Sequence, residues 1–310
     1  MNQGIALISS ETEREQLAQL NLAAGQKAKA STAYAAAMEY LTTGIQLLAP
    51  TGWQQSYALT LALHELAAEV AGLSGCFPLM EQLIEKVLQN ARHLLDTVKV
   101  YEVKILADVA RSRQPEAIQQ ALLVLEKFNV VFPEQPTPAE IEQSFQDTQM
   151  LLAGKPLEAL LELPEMVDPE ALAVIRILSA VTAAVYQAIP ALLPLIVFKQ
   201  VQLSIQRGNA PVSTLAYAWY GVILCGVIGE IDLGNRAGQL ALDLLARGQN
   251  QRLQSEYDQY GLPLCQALET FHSRGSEPAF GRLSQRFRDG CFRVCGLLCL
   301  QLRLAIVFLR

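Results

Sequence analysis

Charge is scarce in this 310-residue chain: 17% of its residues are Asp, Glu, Lys or Arg, and the net charge is -6. Without a basic excess there is no footprint to neutralise a phosphate backbone, so no nucleic-acid partner is expected. The opening MNQGIALISSETEREQ lacks the basic stretch and long apolar core of a secretion signal, which makes the cytoplasm the expected compartment. Cysteines there are expected to be reduced thiols. Alternating apolar and polar residues, the mark of a half-buried strand, are almost absent.

The signatures of phosphoryl transfer are missing too. Gly154-Lys155 lies in LLAGKPLE, but a phosphate-binding loop needs a glycine where Gln149 stands and Ser or Thr where Pro156 stands. A kinase glycine-rich loop, an H-R-D loop and a D-F-G triplet are also lacking. His64-Glu65-Leu66 opens like the phospho-acceptor box of a sensor kinase, yet Ala67, Ala68 and Glu69 follow where that box has a polar or basic residue and a proline. A zinc helix would need its second histidine at Ala68. His64 therefore reads as a helix-face residue. Glu81, Glu85, Glu158, Glu162 and Glu165 read as solvated carboxylates of helix faces and turns. No catalytic, cofactor-binding or metal-ligating residue is expected.

What the chain has is apolar content, 51%, returning at three- and four-residue intervals up to about Leu245. That period predicts an all-α fold. Helix starts are legible: Thr137 as N-cap with Pro138 first in the helix and Glu140 closing a capping box, and Asp168 before Pro169. Phe132 to Thr137 and Glu162 to Asp168 read as turns between helices. Ile177 to Phe198 is uncharged and long enough to span a bilayer. Pro190 and Pro194 interrupt it, so a buried helix pair is expected and no membrane span.

Four stretches carry the small and aromatic residues of stacked helix pairs. The first holds Gly25, Ala28, Tyr34, Ala37, Leu41 and Gly44; the second Ala68, Ala71, Gly75, Phe77, Met80, Ile84 and Val87. A third runs through Ile105, Ala117, Ala121 and Leu125. The fourth runs through Val222, Cys225, Gly229, Ile231, Gly234, Gly238 and Ala241. Small residues let helix axes approach, in a bundle as in a repeat. The expected architecture is an antiparallel helix-pair array, a degenerate tetratricopeptide-like solenoid whose surface binds protein domains. GEIDLGNRAG, Gly229 to Gly238, reads as a tight turn between helices and not as a ligand loop.

The stretch EREQLAQLNLAAGQKAKASTAYAAAMEYLTTGIQLL resembles the helical middle region of very large bacterial signalling kinases, abundant in cyanobacteria. These join a serine/threonine kinase, an AAA-like ATPase module, a long helical region, a GAF sensor and a histidine kinase. KVYEVKILADVA, LLAGKPLEALLELPEMVDPEALAVIRIL and the run from Leu192 to Leu242 resemble the same region, so the resemblance covers residues 1–245. It implies a non-catalytic scaffold between an ATPase switch and sensor or kinase modules, and a fragment of a longer gene. Two other readings stand beside it: a stand-alone tetratricopeptide-like adaptor acting on partners in trans, and a metal or thiol enzyme using Cys291, Cys295 and Cys299.

Those three cysteines fall in a segment of different composition. From Ala246 to Arg310 there are nine Arg, no Lys and four of the six Cys. No histidine or carboxylate completes a tetrahedral shell on the Cys291–Cys299 run, whose spacing matches no zinc pattern. A one-nucleotide shift explains the segment instead. Leu264 to Phe308 can be back-translated into FVKHWKHSTHEAANLLLDAYRSGLETG and VFEFAGYCAYNYAWQSYFY, which resemble the family's continuation. Residues 246–310 are thus expected to be an off-frame tail and no native domain. The coding sequence after codon 246, read one nucleotide forward, is expected to specify that helical continuation; a shifted frame broken by stop codons refutes the slip.

Overall fold

The computed structural model describes residues 10–247. The tail from residue 248 on, with Cys291, Cys295 and Cys299, lies outside the described residues. Within them are twelve α-helices and no strand; one isolated bridge pairs Glu165 with Asn209. The chain is all-α, as its period predicts, and divides into two compact units at Arg113/Gln114.

The first unit contains α1 (Glu11–Ala30), α2 (Tyr34–Leu48), α3 (Gly52–Gln55), α4 (Tyr57–Leu73), α5 (Phe77–Asn90) and α6 (Val98–Ala110). Acids Glu11 and Glu13 open α1 while Lys27 and Lys29 close it, so both ends oppose the helix dipole. The turn Ser31–Ala33 folds α2 back onto α1, and Ser74–Cys76 does the same for α5 on α4. Both turns, and the one after α6, end in a Schellman motif. Ala33 N–H reaches Ala28 O at 2.9 Å, Cys76 N–H reaches Ala71 O at 2.8 Å, and Arg113 N–H reaches Asp108 O at 2.8 Å. Thr32, Gly75 and Ser112 supply the left-handed residue with φ of 56°, 74° and 58°. These three positions lie 43 and then 37 residues apart; the first two are turns within packed pairs, and the third ends α6 at the close of the first unit.

α4 is the shared element. Its Leu63, Leu66, Ala67 and Val70 join the core of α1 and α2 with Ala37 and Leu41. Its Ala68 and Ala71 join the core of α5 and α6 with Met80, Ile84, Val87 and Val103. The crossings depend on missing side chains: a Cβ on Gly25 would stand 2.8 Å from Leu41, and one on Gly44 would stand 2.7 Å from Leu63.

The second unit contains α7 (Gln114–Lys127), α8 (Pro138–Leu152), α9 (Pro169–Ala188), α10 (Leu193–Arg207), α11 (Ser213–Ile223) and α12 (Ile231–Arg247). The third sequence stretch is divided, because Ile105 belongs to α6 of the first unit and Ala117, Ala121 and Leu125 to α7 of the second. α7 packs on α9, α8 on α10, and α9, α10, α11 and α12 follow as neighbours. Thr137 caps α8 in a capping box with Glu140, and the Asp168 carboxylate accepts from the N–H groups of Glu170 and Ala171 at the start of α9. The apolar run Ile177 to Phe198 breaks at Ile189 into the end of α9, a 3-10 turn at Pro190–Leu192 and the start of α10. By length and composition α9 could cross a membrane, and 67% of its apolar window is buried within the protein. Phe198, Tyr217 and Tyr220 fill the centre of this unit, with Phe198 and Tyr220 edge to face at 5.9 Å.

The Gly229–Gly238 stretch is a turn and a helix crossing. α11 runs into a π turn, Leu224–Ile228, which Gly229 closes at φ 89°. Gly234 lies under Cys225, and a Cβ on Gly221 would stand 2.8 Å from the Gly234 carbonyl and 3.3 Å from the Gly238 amide. Backbone cannot yield as a side-chain tip can. Gly221→Ala is expected to cost about 1–3 kcal/mol in urea denaturation. Gly72→Ala, which meets chiefly the Met80 sulfur at 3.1 Å, is expected to be neutral or slightly stabilising.

Candidate interaction surface

Two features of the first unit stand out from its apolar packing. The first is an ionic ladder across α1, α4 and α6. Glu69, in α4, sits amid the apolar LAAEVAG segment, and its side chain is 8% exposed. One carboxylate oxygen accepts from Lys29 of α1 at 2.8 Å, and the other lies 3.4 Å from Lys99 of α6. Lys99 also lies 4.0 Å from Glu102, whose side chain is 1% exposed. Burial pushes the Glu69 carboxyl up, but the charges and hydrogen bonds of Lys99 and Lys29 outweigh it and hold the pKa below the ordinary value.

The second feature is an open groove of about 830 Å³ along the first half of α2. Tyr34, Ala35, Met38, Glu39, Thr42 and Thr43 form one wall; Ser74, Cys76 and Leu79 form the other, where α4 turns into α5. Thr43 and Ser74 donate their hydroxyls back to helix carbonyls, Glu39 O and Val70 O. The groove therefore offers apolar surface from Met38 and Leu79, the thiol of Cys76 and one carboxylate, Glu39. Such a lining suits an apolar side chain of a protein partner and supplies no acid–base pair.

The sequence candidates fall elsewhere. His64 is buried in α4 beneath Trp53, and its Nδ1 donates to Thr60 O at 2.7 Å. It lies on the buried face of α4. Gly154 follows the left-handed Ala153 and ends α8, where Lys155 N–H returns to Leu152 O. The carboxylates serve as exposed partners. Glu158 makes two bonds to Arg236, at 2.8 and 2.7 Å, which hold its pKa down to about 2. Glu162 pairs with Arg247 at 2.6 Å, Glu81 lies 3.6 Å from Arg111, and Glu85 accepts from Gln89. No cluster of three or more His, Cys, Asp or Glu side chains arranged to hold a metal occurs among the described residues. Sequence reasoning missed the ladder. Its one local signal was an acid inside an apolar helix run, at Glu69 and again at Glu102 in VYEVKIL.

Comparison with known proteins gives a signalling context. An alignment 270 positions long, which covers 78% of this chain, is 21% identical to the hybrid signal transduction histidine kinase G of Dictyostelium discoideum. The chain spans only 8% of the length of that curated relative. No protein-family model matches the chain. No solved structure matches it either.

The ladder predicts both a mutational and a pH effect. Glu69→Ala leaves two partly buried lysines without their partner and is expected to cost about 2 kcal/mol, below the fully buried case because both lysines reach water. Because the folded pKa is depressed, the carboxylate's contribution is complete above its unfolded value and lost as pH falls through the folded one. Urea denaturation in that acidic range should show a shallower fall in stability for Glu69→Gln than for the native chain.

Proposed function

We propose that this chain is a non-catalytic helical scaffold segment of a multi-domain signal-transduction kinase. It docks or relays between an ATPase module and sensor or kinase modules in the cytoplasm. One observation carries the proposal: the similarity spans most of this chain but only a small part of a hybrid signal transduction histidine kinase. A segment of that kind needs no active site of its own. Its helix pairs suit the role physically, since stacked pairs hold flanking domains at a set distance and present continuous surfaces to them. The α2 groove, apolar at Met38 and Leu79 and acidic at Glu39, is a surface of the first unit suited to a neighbouring domain.

Two measurements test the proposal. The full-length chain, incubated with ATP and magnesium, is expected to incorporate no phosphate and to hydrolyse no nucleotide. Purified ATPase and histidine-kinase modules encoded beside it are expected to bind it in titration calorimetry, in the micromolar range of transient interfaces. Met38→Glu with Leu79→Glu is expected to weaken that binding about tenfold at unchanged helical circular dichroism. Phosphorylation of the isolated chain overturns the non-catalytic reading, and modules that fail to bind overturn docking.

A further inference from the structure

The one-turn helix α3 joins the first helix pair to the second and is held by two attachments, one to α4 and one to Arg92 beyond α5. The Trp53 ring lies against the His64 imidazole, with centroids 4.9 Å apart and planes inclined by 40°. The Trp53 carbonyl accepts from Arg92 Nη2 at 2.9 Å. Arg92 is itself held by stacking over the Tyr57 ring at 4.0 Å, and the Tyr57 hydroxyl donates to Asp96 at 2.6 Å.

The seat beneath α3 is chemically imperfect. The Thr60 hydroxyl is buried there without a hydrogen-bond partner, and a Cβ on Gly52 would stand 2.6 Å from it. His64 is 6% exposed. A carbonyl can only accept, so the neutral ring carries its proton on Nδ1, toward Thr60 O. A second proton must go to Nε2 and brings a full charge into a site built for a neutral ring.

Apart from the Trp53 ring, whose face attracts a cation weakly, the surroundings do not welcome that charge. Neither α3 nor the end of α2, Gly44–Leu48, carries a charged residue. From α5 comes Lys86, and beyond Trp53 comes Arg92, both positive. The acids nearby are engaged: Glu15 of α1 accepts from Ser56, Asp96 accepts from Tyr57 and the His93 N–H, and Glu69 and Glu102 belong to the ladder with Lys29 and Lys99.

We propose that α3 is a pH-sensitive latch: protonation of His64 releases Trp53 and the Gly52–Gln55 turn from α4 while the helix pairs stay folded. Burial first, with Lys86 adding to it, outweighs the Thr60 hydrogen bond and keeps the seated His64 below its ordinary pKa of 6.5. The released ring takes its proton near that ordinary value. Acidification through it therefore favours release, and the gain levels off below the pKa of the seated ring. Release frees the α3 connection alone, because α4 stays packed in the core of α1 and α2 and tied to Lys29. The latch stands independently of the scaffold reading.

The test uses the full-length chain carrying Trp219→Phe, so that Trp53 is the sole fluorophore of its kind. Between about pH 8 and pH 5 its emission is expected to shift to the red with a midpoint below 6.5, at constant far-ultraviolet circular dichroism. His64→Asn, which keeps a donor toward Thr60 O, is expected to abolish the transition. Lys86→Glu, at an exposed position, raises the pKa of the seated ring, narrows the pH range over which acid favours release, and is expected to reduce the size of the red shift. The proposal is overturned by an absent shift, by a shift that survives in His64→Asn, by loss of helicity in step with it, or by a shift that Lys86→Glu leaves undiminished. Should His64→Asn fail to fold, the Lys86→Glu result decides alone.

Discussion

Everything in the first unit depends on α4 being buried on two sides at once. One side belongs to the core of α1 and α2, the other to the core of α5 and α6. A helix in that position cannot be strongly amphipathic, which is why its sequence reads as nearly continuous apolar and small residues. It also has little room for bulk. Ala67, Ala68 and Ala71 allow neighbours on both sides to approach, and Gly25 and Gly44 make the matching allowance on α1 and α2. A methyl group at either glycine would press into a fully buried leucine.

That double burial explains the polar residues as well. A carboxylate on such a helix has almost no route to water, so Glu69 persists as a charge because α1 and α6 each bring it a lysine. A buried ion pair gains little over a well-packed apolar pair, because desolvation consumes most of the attraction. Its geometry is demanding, however, and three helices must hold their register for Lys29 and Lys99 to reach one carboxylate. The ladder is thus better understood as a constraint on how successive helices slide than as a store of stability. His64 is the second polar exception, accommodated as a neutral ring between Thr60 and Trp53.

How legible this was in the sequence follows the range of the interactions. Local chemistry could be read directly: Thr137, Pro138 and Glu140 form the capping box, and Asp168 caps α9. Gly229 closes a turn. The apolar run Ile177 to Phe198 breaks near its prolines. The register of the first two helix pairs was legible as well, since small residues are needed wherever backbones approach. What could not be read joins residues far apart. Lys29 and Glu69 are separated by forty positions, and an acid inside an apolar run does not say which lysine meets it. The burial of His64 depends on α3, four residues with no periodic pattern to announce a helix. The third stretch of small residues looked like another pair, but contacts assign Ile105 and Ala117 to different units. Periodicity within helices does not say which helices become neighbours.

The second unit solves a similar packing problem with different means. Its centre holds aromatic rings and paired neutral groups: Gln200 with Thr182 at 3.0 Å, Ser204 with Ser213 at 2.8 Å, Tyr217 with Asn209 at 2.8 Å. Charge is kept outside, where Arg236 and Arg247 of α12 grip Glu158 and Glu162 of the Leu157–Glu162 turn. Neutral hydrogen bonds cost less to bury than ions, so this core can be denser in apolar residues without needing a lysine for every acid. The charge-laced first unit and the neutral second unit therefore respond to different conditions. Acid reaches the first through Glu69 and His64, whereas the buried contacts named for the second hold no carboxylate or imidazole to titrate. Among the described residues the buried imidazole and carboxylates, His64, Glu69, Glu102 and Asp108, all belong to the first unit, whereas the second meets protons through exposed pairs such as Glu158 with Arg236.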